Sequence, residues 1–383
     1  MSKSFQPILS QRLDGVGEYY FSRKLREIDE LRKAGKQIIS LGIGSPDMPP
    51  HPSVVARLAQ ESSKPTAHGY QSYKGAAELR EAFASWYGRM FGVELDPQSE
   101  IMPLIGSKEG IMHIAMTYLN AGDKVLVPNP GYPTYTSAVT LAGGVATPYS
   151  LTAECGWLPD LGNIDTEGVK MMIINYPHMP TGSTATLEDL EKIVDFCRAN
   201  SILLLNDNPY GFIRNSQPIS LLQVEGAKDV AMELNSLSKS HNMAGWRIGM
   251  LAASADRITE ILRFKSNMDS GMFLPLQLAA ATALSLGEEW YQSQNEEYYR
   301  REQLGKAIFD TLGIEYAENQ AGLFLWGRLP EGENCYDFCD NLLYNKGIFL
   351  TPGAIFGSEG ERYMRLSLCA PQSVLENVLN ILK

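Results

Sequence analysis

The fold of this chain is decided by the stretch Ser236-Leu-Ser-Lys-Ser-His-Asn-Met-Ala-Gly-Trp-Arg-Ile-Gly249, in which Lys239 stands among small hydroxyl residues and Arg247 follows eight positions later. A lysine amine can hold an aldehyde as an imine, while hydroxyls and a guanidinium can bind a phosphate. Pyridoxal phosphate (PLP) carries both groups, so the stretch indicates a PLP site centred on Lys239. Taken alone, the stretch is equally typical of a solvated surface loop, and the other motifs decide between the two.

Length and composition limit the classes of protein to be considered. The chain has 383 residues, which is long for one domain and fits two. Apolar residues make up 44% and charged residues 20%, as in an ordinary globular protein. The formal net charge of -11 argues against nucleic acid and against an anionic membrane surface. Because the N-terminus lacks an apolar signal segment and no apolar run is long enough to span a bilayer, we expect a cytoplasmic protein without a membrane partner.

The cysteines indicate neither a disulfide framework nor a metal site. The chain has five of them, scattered along its length: Cys155, Cys197, Cys335, Cys339 and Cys369. Cys335 and Cys339 are four positions apart, but no second pair of cysteines or histidines lies nearby. We therefore interpret all of them as reduced, mostly buried thiols and expect no metal.

Beyond residue 124, short apolar strands alternate with helices. This pattern predicts a mainly parallel central sheet that is covered on both faces. Ligands bind to such sheets at the carboxyl ends of the strands. Polar residues follow the predicted strands at those ends: Tyr132, Asn175, Asp207 and Ser236 to Lys239. Unrelated surface residues would be scattered, so this convergence is the strongest argument for a single site.

Earlier motifs supply further candidate groups. Gly44 ends a short strand in a glycine loop, whose backbone can approach a ligand closely. Ser107 is predicted to cap a helix over residues 111–119, and Lys108 adds positive charge at the same anion-binding end. Tyr70 lies in a loop bounded by glycines. Each has an ordinary structural explanation when it is considered alone.

The composition of the sequence changes after about residue 280. A long polar and aromatic helix is predicted over residues 288–312, and a mixed α+β region follows it. We predict a large PLP-binding domain over residues 51–280 and a small C-terminal domain over residues 281–383. Residues 1–50 are predicted to form an N-terminal arm and part of the small domain.

PLP catalysis requires a lysine, a carboxylate facing the pyridine nitrogen, a donor to the phenolic oxygen, a phosphate cup and a stacking ring. Lys239 is the candidate lysine, and Asp207, at a strand end, is the candidate carboxylate. Tyr210 can reach the phenolic oxygen from the same turn, and Tyr132 is the candidate stacking ring. The candidates for the phosphate cup are Ser107, Lys108, Ser236, Ser238 and Arg247.

An amino-acid substrate also needs its carboxylate held, ideally by a bidentate arginine. Arg365, in the strand-like run Met-Arg-Leu-Ser-Leu, fits this role. Arg362 is the rival, but it lies in a polar run and is expected to be solvated.

Over nearly the whole chain and in the same order, these motifs resemble those of the class I/II aminotransferases, which belong to the fold-type I PLP enzymes. The run from Ser236 to Lys239, with Arg247 eight residues on, resembles the family's lysine and phosphate motif. Asp207 with Tyr210 resembles its pair at the pyridine nitrogen and the phenolic oxygen. The resemblance implies a three-layer α/β PLP-transferase fold, with a mainly parallel central sheet and a smaller α+β domain.

The resemblance also implies roles for residues outside the lysine motif. The amide of Gly44 is expected to meet the substrate carboxylate together with Arg365. Asn175 is a candidate for cofactor binding because of its position at a strand end, independently of the resemblance. Tyr70 falls where the family has a tyrosine that reaches the phosphate across a dimer interface. The resemblance thus implies a homodimer.

One residue departs from the family pattern. Met179 stands in Met-Pro-Thr-Gly where the family usually has an asparagine that hydrogen-bonds the phenolic oxygen. A methionine cannot donate a hydrogen bond, so Tyr210 is expected to be the main donor unless Asn175 or His178 compensates. The change puts an ordinary aspartate-type specificity in doubt.

The leading hypothesis is transamination between an amino acid and a 2-oxo acid, with Lys239 as the Schiff-base lysine and proton carrier. A PLP-dependent lyase of the carbon–sulfur type is the alternative on the same scaffold, and Met179 strengthens it. A non-catalytic PLP-binding regulator is disfavoured because the chain has no spare basic segment for DNA. A nucleotide-binding α/β protein is disfavoured because the sequence has neither a dinucleotide fingerprint nor a P-loop.

Overall fold

A computed structural model describes residues 7–383 of the chain. Its centre is a seven-stranded sheet in which only the second strand, β8, is antiparallel to its neighbours. The spatial order is β2 (Ile101–Leu104), β8 (Gly249–Ala252), β7 (Ala231–Ser236), β6 (Leu203–Asp207), β5 (Val169–Ile174), β3 (Lys124–Asn129) and β4 (Val145–Ser150). The predicted mainly parallel sheet is therefore confirmed.

Two smaller sheets complete the strands within residues 7–383. One is the parallel pair β1 (Ile39–Ser40) and β11 (Ile348–Phe349). The other is antiparallel, in the order β12 (Thr351–Pro352), β13 (Tyr363–Ser367), β10 (Phe324–Arg328) and β9 (Glu315–Tyr316). The pairing of β1 with β11 joins the N-terminal segment to the C-terminal part of the chain.

Helices fill the connections between the strands. They are α1 (Tyr20–Lys33), α2 (Pro52–Ser62), α3 (Ala77–Phe91), α4 (Ser107–Tyr118), α5 (Pro133–Leu141), α6 (Leu187–Ala199), α7 (Leu237–Ser240), α8 (Ala255–Lys265), α9 (Leu274–Leu284), α10 (Glu288–Leu312), α11 (Cys335–Asn341) and α12 (Gln372–Leu382). The long helix predicted over residues 288–312 is confirmed as α10. None of the helices within residues 7–383 has both the length and the apolar composition needed to cross a bilayer.

Burial on both faces explains the continuous apolar strands. Successive side chains of a strand point to opposite faces of the sheet. In β6, Leu205 packs with Ile114 of α4 in one core cluster, while Leu204 packs with Ile193 of α6 in another. The edge strand β4 was not predicted, because its exposed Val145 and its polar residues break the apolar pattern.

The start of α4 differs from the prediction. Ser107 is the first residue of the helix rather than its cap, and the N-cap position belongs to Gly106, with φ 101°. L-residues with a Cβ rarely adopt this conformation, but glycine does so readily. Gly106 therefore allows the helix to begin directly after β2. The prediction that Ser107 caps a helix over residues 111–119 was therefore wrong, although Ser107 does lie in the anion-binding first turn.

The cysteines lie where their neighbours are mostly apolar. All five are free thiols in the part of the chain that the structure describes. Cys197, Cys335 and Cys339 are buried and Cys369 is half-buried, whereas Cys155 is exposed. The expected mostly buried, unpaired thiols are thus confirmed.

Candidate active site

A cavity of about 410 Å³ opens at the carboxyl ends of the parallel strands of the central sheet. It brings together every residue predicted for the site except Tyr70. The predicted residues that line it are Gly44, Ser107, Lys108, Tyr132, Asn175, Asp207, Tyr210, Ser236, Ser238, Lys239, Arg247 and Arg365. Because parallel strands end at one edge of the sheet, the polar residues after β3, β5, β6 and β7 converge.

Lys239 lies in α7, the short helical turn that follows β7. Its Nζ atom donates a hydrogen bond to the carbonyl oxygen of Gly44 at 2.6 Å. Burial lowers the pKa of Lys239, and the charges of Arg365 and Arg247 lower this pKa further. A buried amine with a lowered pKa is suited to nucleophilic and proton-transfer chemistry.

Asp207 ends β6 in a buried position. The Tyr135 hydroxyl donates a hydrogen bond to its Oδ2 at 3.0 Å, whereas its Oδ1 has no hydrogen-bond partner among the described residues. Burial raises the pKa of Asp207 to about 6, against the opposing effects of the Tyr135 hydrogen bond and the Lys239 charge. A buried carboxylate oxygen without a partner is costly, and a protonated ring nitrogen would satisfy it.

The first turn of α4 faces the Ser236–Arg247 segment across the cavity. Ser107 Oγ is buried without a hydrogen-bond partner among residues 7–383. Arg247 Nη1 lies 3.4 Å from Ser238 Oγ, whose own neighbour Ser236 Oγ is at 2.8 Å. Free amides at a helix N-terminus, hydroxyls and a guanidinium together form a site for a phosphate.

Tyr132 and Tyr210 contribute rings to the wall of the cavity. The ring of Tyr132 meets that of Tyr135 edge-on, with centroids 5.6 Å apart. Tyr210 contacts Phe324 edge-on at 6.1 Å, and burial raises the pKa of its hydroxyl. The Tyr210 hydroxyl therefore stays protonated and can donate a hydrogen bond at neutral pH.

Arg365, on β13, is buried against aromatic rings. Its Cζ lies 3.9 Å from the ring centroid of Phe324 and 4.6 Å from that of Phe356. Nη2 donates a hydrogen bond to the carbonyl oxygen of Gly42 at 2.7 Å, and Nη1 lies 3.3 Å from the sulfur of Met179. Burial lowers the pKa of Arg365 to about 10, which leaves the guanidinium charged at neutral pH.

The rival arginine does not lie in the cavity. Arg362 is half-buried, and its Nη2 donates hydrogen bonds to the carbonyl oxygens of Leu329 and Pro330. The expectation that Arg362 is solvated was therefore wrong. The polar run around it misled the prediction, because these backbone partners lie more than 30 residues away.

The two polar neighbours of Met179 have other partners, and His178 does not line the cavity. Asn175 Oδ1 accepts a hydrogen bond from the Met179 amide at 2.8 Å, and Asn175 Nδ2 donates to the carbonyl oxygen of Asp207. His178 is buried, its Nδ1 pairs with Thr181 Oγ1 at 2.8 Å, and burial lowers its pKa to about 3. Asn175 thus ties the Met179 backbone to the end of β6, and Tyr210 is left as the main donor candidate.

Tyr70 does not reach the cavity of its own chain. Its side chain is 94% exposed in the loop before α3. An exposed tyrosine of this kind is accessible to a second chain, and its expected role across a dimer interface stays a prediction.

The N-terminal arm contributes residues that the sequence did not point to. Tyr19, Phe21, Ser22 and Leu25 line the cavity, although they precede the central sheet by some 75 residues or more. The aromatic run Tyr-Tyr-Phe at the start of α1 was the signal available in the sequence. Its helical spacing did not show which part of the chain it would pack against.

The residues present fit PLP. The free Oδ1 of Asp207 matches a protonated pyridine nitrogen, and the free Oγ of Ser107 matches a phosphate oxygen. A Cβ on Gly106 would collide with the guanidinium of Arg247, so the glycine keeps the phosphate cup open. When bound, PLP supplies an electron sink for charge that develops at the substrate α-carbon.

A second cluster of ionisable groups lies outside the cavity lining. Among the described residues, Glu109, His113 and Asp269 place one ligand atom each within 4.8 Å of one another. The ammonium of Lys265 lies 2.6 Å from both oxygens of Asp269. Because the Lys265 ammonium already neutralises the Asp269 carboxylate, we interpret the cluster as an ion-pair network next to the first turn of α4.

Comparisons with known proteins agree with this geometry. The family described as aminotransferase class I and II matches residues 36–382, and the chain belongs to that family. It is 40% identical to an LL-diaminopimelate aminotransferase of Desulforudis audaxviator, over 98% of this chain and 97% of that protein. It is also 40% identical to one of Aquifex aeolicus, over 94% and 95% of the two chains.

Solved structures give the same result. The structure of BacF from Bacillus subtilis without ligand superposes with a TM-score of 0.94 at 35% identity, over 98% of each chain. An aspartate aminotransferase of Thermus thermophilus, at 23% identity and a TM-score of 0.90 over 98% and 99% of the two chains, shares the fold. The chain is therefore a PLP-dependent aminotransferase with the expected fold, and the lyase alternative is set aside.

Proposed function

We propose that the protein is a homodimeric aminotransferase in which Lys239 carries the PLP and moves the proton, while Arg365 holds the substrate carboxylate. The observation that carries this proposal is the meeting of Lys239 and Asp207 in one cavity, with Asp207 Oδ1 free of partners among the described residues. Other PLP chemistries share a lysine and a carboxylate, but the family of the chain restricts the reaction to transamination.

Lys239 acts as acid and base. Because burial lowers the pKa of Lys239, a larger fraction of the free amine is neutral and can accept the proton of the substrate α-carbon. Asp207 would keep the ring nitrogen of bound PLP protonated, and the Tyr135 hydroxyl fixes the orientation of this carboxylate with a hydrogen bond of 3.0 Å. Tyr210 donates to the phenolic oxygen, a task that Met179 cannot share.

Arg365 and the loop at Gly44 receive the substrate carboxylate. The Nε of Arg365 is buried without a partner among residues 7–383, so the guanidinium keeps unused donor capacity. The guanidinium charge of Arg365 lies over the rings of Phe324 and Phe356 and is not paired with an acid among the described residues. A carboxylate that binds here gains a charge-assisted hydrogen bond in a site with little water.

The site is completed by a second chain. The exposed Tyr70 lies in a glycine-bounded loop and reaches the phosphate of the partner's site, so that each cavity needs both protomers. Within each protomer, residues 51–280 form the PLP-binding domain, and residues 281–383 with the N-terminal arm form the small domain. The pairing of β1 with β11 supports this division. Five free cysteines suit a reducing, cytoplasmic location.

A half-reaction tests the proposal. The purified enzyme with PLP is mixed with one amino acid at a time, without an oxo acid, and the visible absorbance of the cofactor is followed. At least one amino acid must convert the cofactor into its amine form and release its 2-oxo acid in a single turnover. LL-diaminopimelate belongs in the panel, because relatives with 40% identity carry that name. If no amino acid causes this conversion, the proposed function is wrong.

A further inference from the structure

The start of α1 forms a wall of the cavity that links its two anion-binding ends. At one end, Lys108 Nζ lies 5.4 Å from the ring centroid of Tyr19. At the other, the Cζ of Arg365 lies 5.5 Å from the ring centroid of Phe21. The segment Tyr19–Leu25, which we call the arm wall, therefore faces the space between the phosphate helix and the carboxylate arginine, where the side chain of a bound amino acid has to lie.

The lining of this space is aromatic and apolar. Tyr19, Phe21 and Leu25 come from the arm wall, and Ile43 and Met179 line the same cavity. Burying apolar substrate atoms against such surfaces is favourable, at about 25 cal/mol for each Å² removed from water. A large uncharged side chain gains most from this lining.

The cavity offers no free anion to a charged amine. Among the described residues that line it, Asp207 is the only acid, and its carboxylate is bonded to Tyr135 and reserved for the ring nitrogen. The aromatic face of Tyr19, which could accept a cation, already has the Lys108 ammonium over it. The second ammonium group of LL-diaminopimelate would be desolvated there with the carboxylate on its own carbon as counter-ion but with no acid of the protein to pair with.

The partner loop that the proposed dimer would bring to the cavity does not change this balance. The loop that is expected to reach across, His68-Gly-Tyr-Gln-Ser-Tyr-Lys-Gly75, contains two tyrosines and a lysine but no aspartate or glutamate. It therefore adds aromatic surface and positive charge to the neighbouring cavity, and no acceptor for a distal ammonium.

We infer that the arm wall selects an amino donor with a large uncharged side chain, aromatic or aliphatic, in preference to LL-diaminopimelate. The inference rests on the proposed function, because the arm wall can select a donor only if Arg365 and Lys239 hold the substrate as described. It separates this chain from the relatives whose names specify diaminopimelate, although they are 40% identical to it.

The first test compares donors in the half-reaction. Phenylalanine, leucine and methionine are measured against LL-diaminopimelate, glutamate and aspartate by single-turnover kinetics. The best uncharged donor is expected to exceed LL-diaminopimelate by at least about tenfold in kcat/KM, the range that contacts in a side-chain pocket supply. A kcat/KM for LL-diaminopimelate equal to or above that of every uncharged donor overturns the inference but leaves the proposed function standing.

A binding measurement without chemistry supports the comparison. The amine-free analogues 3-phenylpropanoate and glutarate both carry the carboxylate that Arg365 binds, but neither can react. Titration calorimetry of the PLP-loaded enzyme should give a lower Kd for 3-phenylpropanoate. Equal or tighter binding of glutarate would contradict an apolar side-chain pocket.

A variant provides the sharpest test of the arm wall. Ser22 is exposed in the first turn of α1, where an acidic residue suits the helix dipole, so Ser22→Asp is expected to fold. The new carboxylate should raise kcat/KM for LL-diaminopimelate relative to phenylalanine by about tenfold. Ser216→Asp, at an exposed position that does not line the cavity, is the matched control and should leave the ratio unchanged. An unchanged ratio in a folded Ser22→Asp enzyme would remove the arm wall as the selecting element.

Discussion

The Nζ atom of Lys239 lies 2.6 Å from the carbonyl oxygen of Gly44, a residue 195 positions earlier in the chain. This contact joins the turn after β7 to the loop after β1. The loop is in turn fixed by Asp47, whose carboxylate lies 2.6 Å from Nη1 of Arg301 on α10. The lysine is therefore held by a loop that is anchored to the C-terminal part of the chain.

Replacing Lys239 should abolish the half-reaction while leaving the fold intact. In Lys239→Ala the acid-base group is lost, and proton transfer by a positioned side chain contributes about 10²–10⁴-fold in rate. Single-turnover absorbance measures the rate, and borohydride reduction followed by peptide mass spectrometry measures the attachment of the cofactor. The exposed Lys192→Ala serves as the control. Finding the cofactor mass on a lysine other than Lys239 in the wild-type enzyme would contradict the assignment.

The buried charge of Asp207 should be visible in the pH dependence of stability of the cofactor-free protein. Burial raises the pKa of Asp207 to about 6 from 3.8, so the folded state binds this proton more tightly than the unfolded state does. The folded protein therefore loses stability as the pH rises through this window, by about 3 kcal/mol in total. Asp207→Asn removes that loss.

Urea unfolding of Asp207→Asn and wild type over a pH series measures this effect. The variant should be the more stable protein at about pH 8, and the difference should disappear at about pH 4. Asp14→Asn, at an exposed position, should show no such trend. A stability difference that does not vary with pH would show that the pKa of Asp207 is the same in the folded and the unfolded protein.

The glycine before α4 should be essential for cofactor binding. In Gly106→Ala, the new Cβ collides with the Arg247 guanidinium and the backbone at φ 101° is strained, at a cost of about 1–3 kcal/mol. The Kd for PLP, measured by equilibrium dialysis, is expected to rise about tenfold or more. Gly245→Ala is the control, because a Cβ there meets nothing within 4 Å. Equal affinities of the two variants would place the phosphate elsewhere.

Met179→Asn should restore a donor near the phenolic oxygen. A hydrogen bond to a charged acceptor contributes about 1.5–3 kcal/mol, so the pKa that governs the visible spectrum of the bound cofactor should fall by about one unit or more. Spectra recorded over a pH series measure this pKa. Met179→Leu has a similar volume but no donor, and its spectrum should titrate as in the wild type. The same titration in all three proteins would mean that position 179 does not face the phenolic oxygen.

Two inactive chains should complement each other if Tyr70 acts across the interface. Tyr70→Ala removes the tyrosine from the partner's site, and Lys239→Ala disables its own. In a mixed dimer, the cavity of the Tyr70→Ala chain keeps Lys239 and receives Tyr70 from its partner. Random pairing of equal amounts should then restore about a quarter of the wild-type activity. A mixture with only the summed activity of the two variants would place Tyr70 outside the partner's site.

The residues after the strands could be predicted from the sequence because a parallel sheet gathers the ends of its strands. Asp207 ends a strand that the apolar pattern revealed, Lys239 and Tyr132 follow two others, and all three line one cavity. The error at Ser107 was local, since the pattern did not show that Gly106 takes the N-cap position.

Long-range contacts could not be predicted in this way. The hydrogen bond from Tyr135 to Asp207 joins residues 72 positions apart. Phe21 of the arm wall lies 5.5 Å from Arg365, which is near the other end of the chain. The partners of Arg362 are backbone carbonyls that leave no signature in the sequence. Such contacts depend on how sheets and helices pack, which the alternation of apolar and polar residues does not specify.

The pairing of β1 with β11 also sets an order of events during synthesis on the ribosome. Ile39 leaves the exit tunnel long before its partner Ile348 has been translated. The central sheet ends at residue 252 and can assemble first, while the segment before it waits unpaired. The carbonyl of Gly42 meets Arg365 only when the chain is almost complete, so a nascent or truncated polypeptide that stops short of β11 cannot acquire catalytic competence.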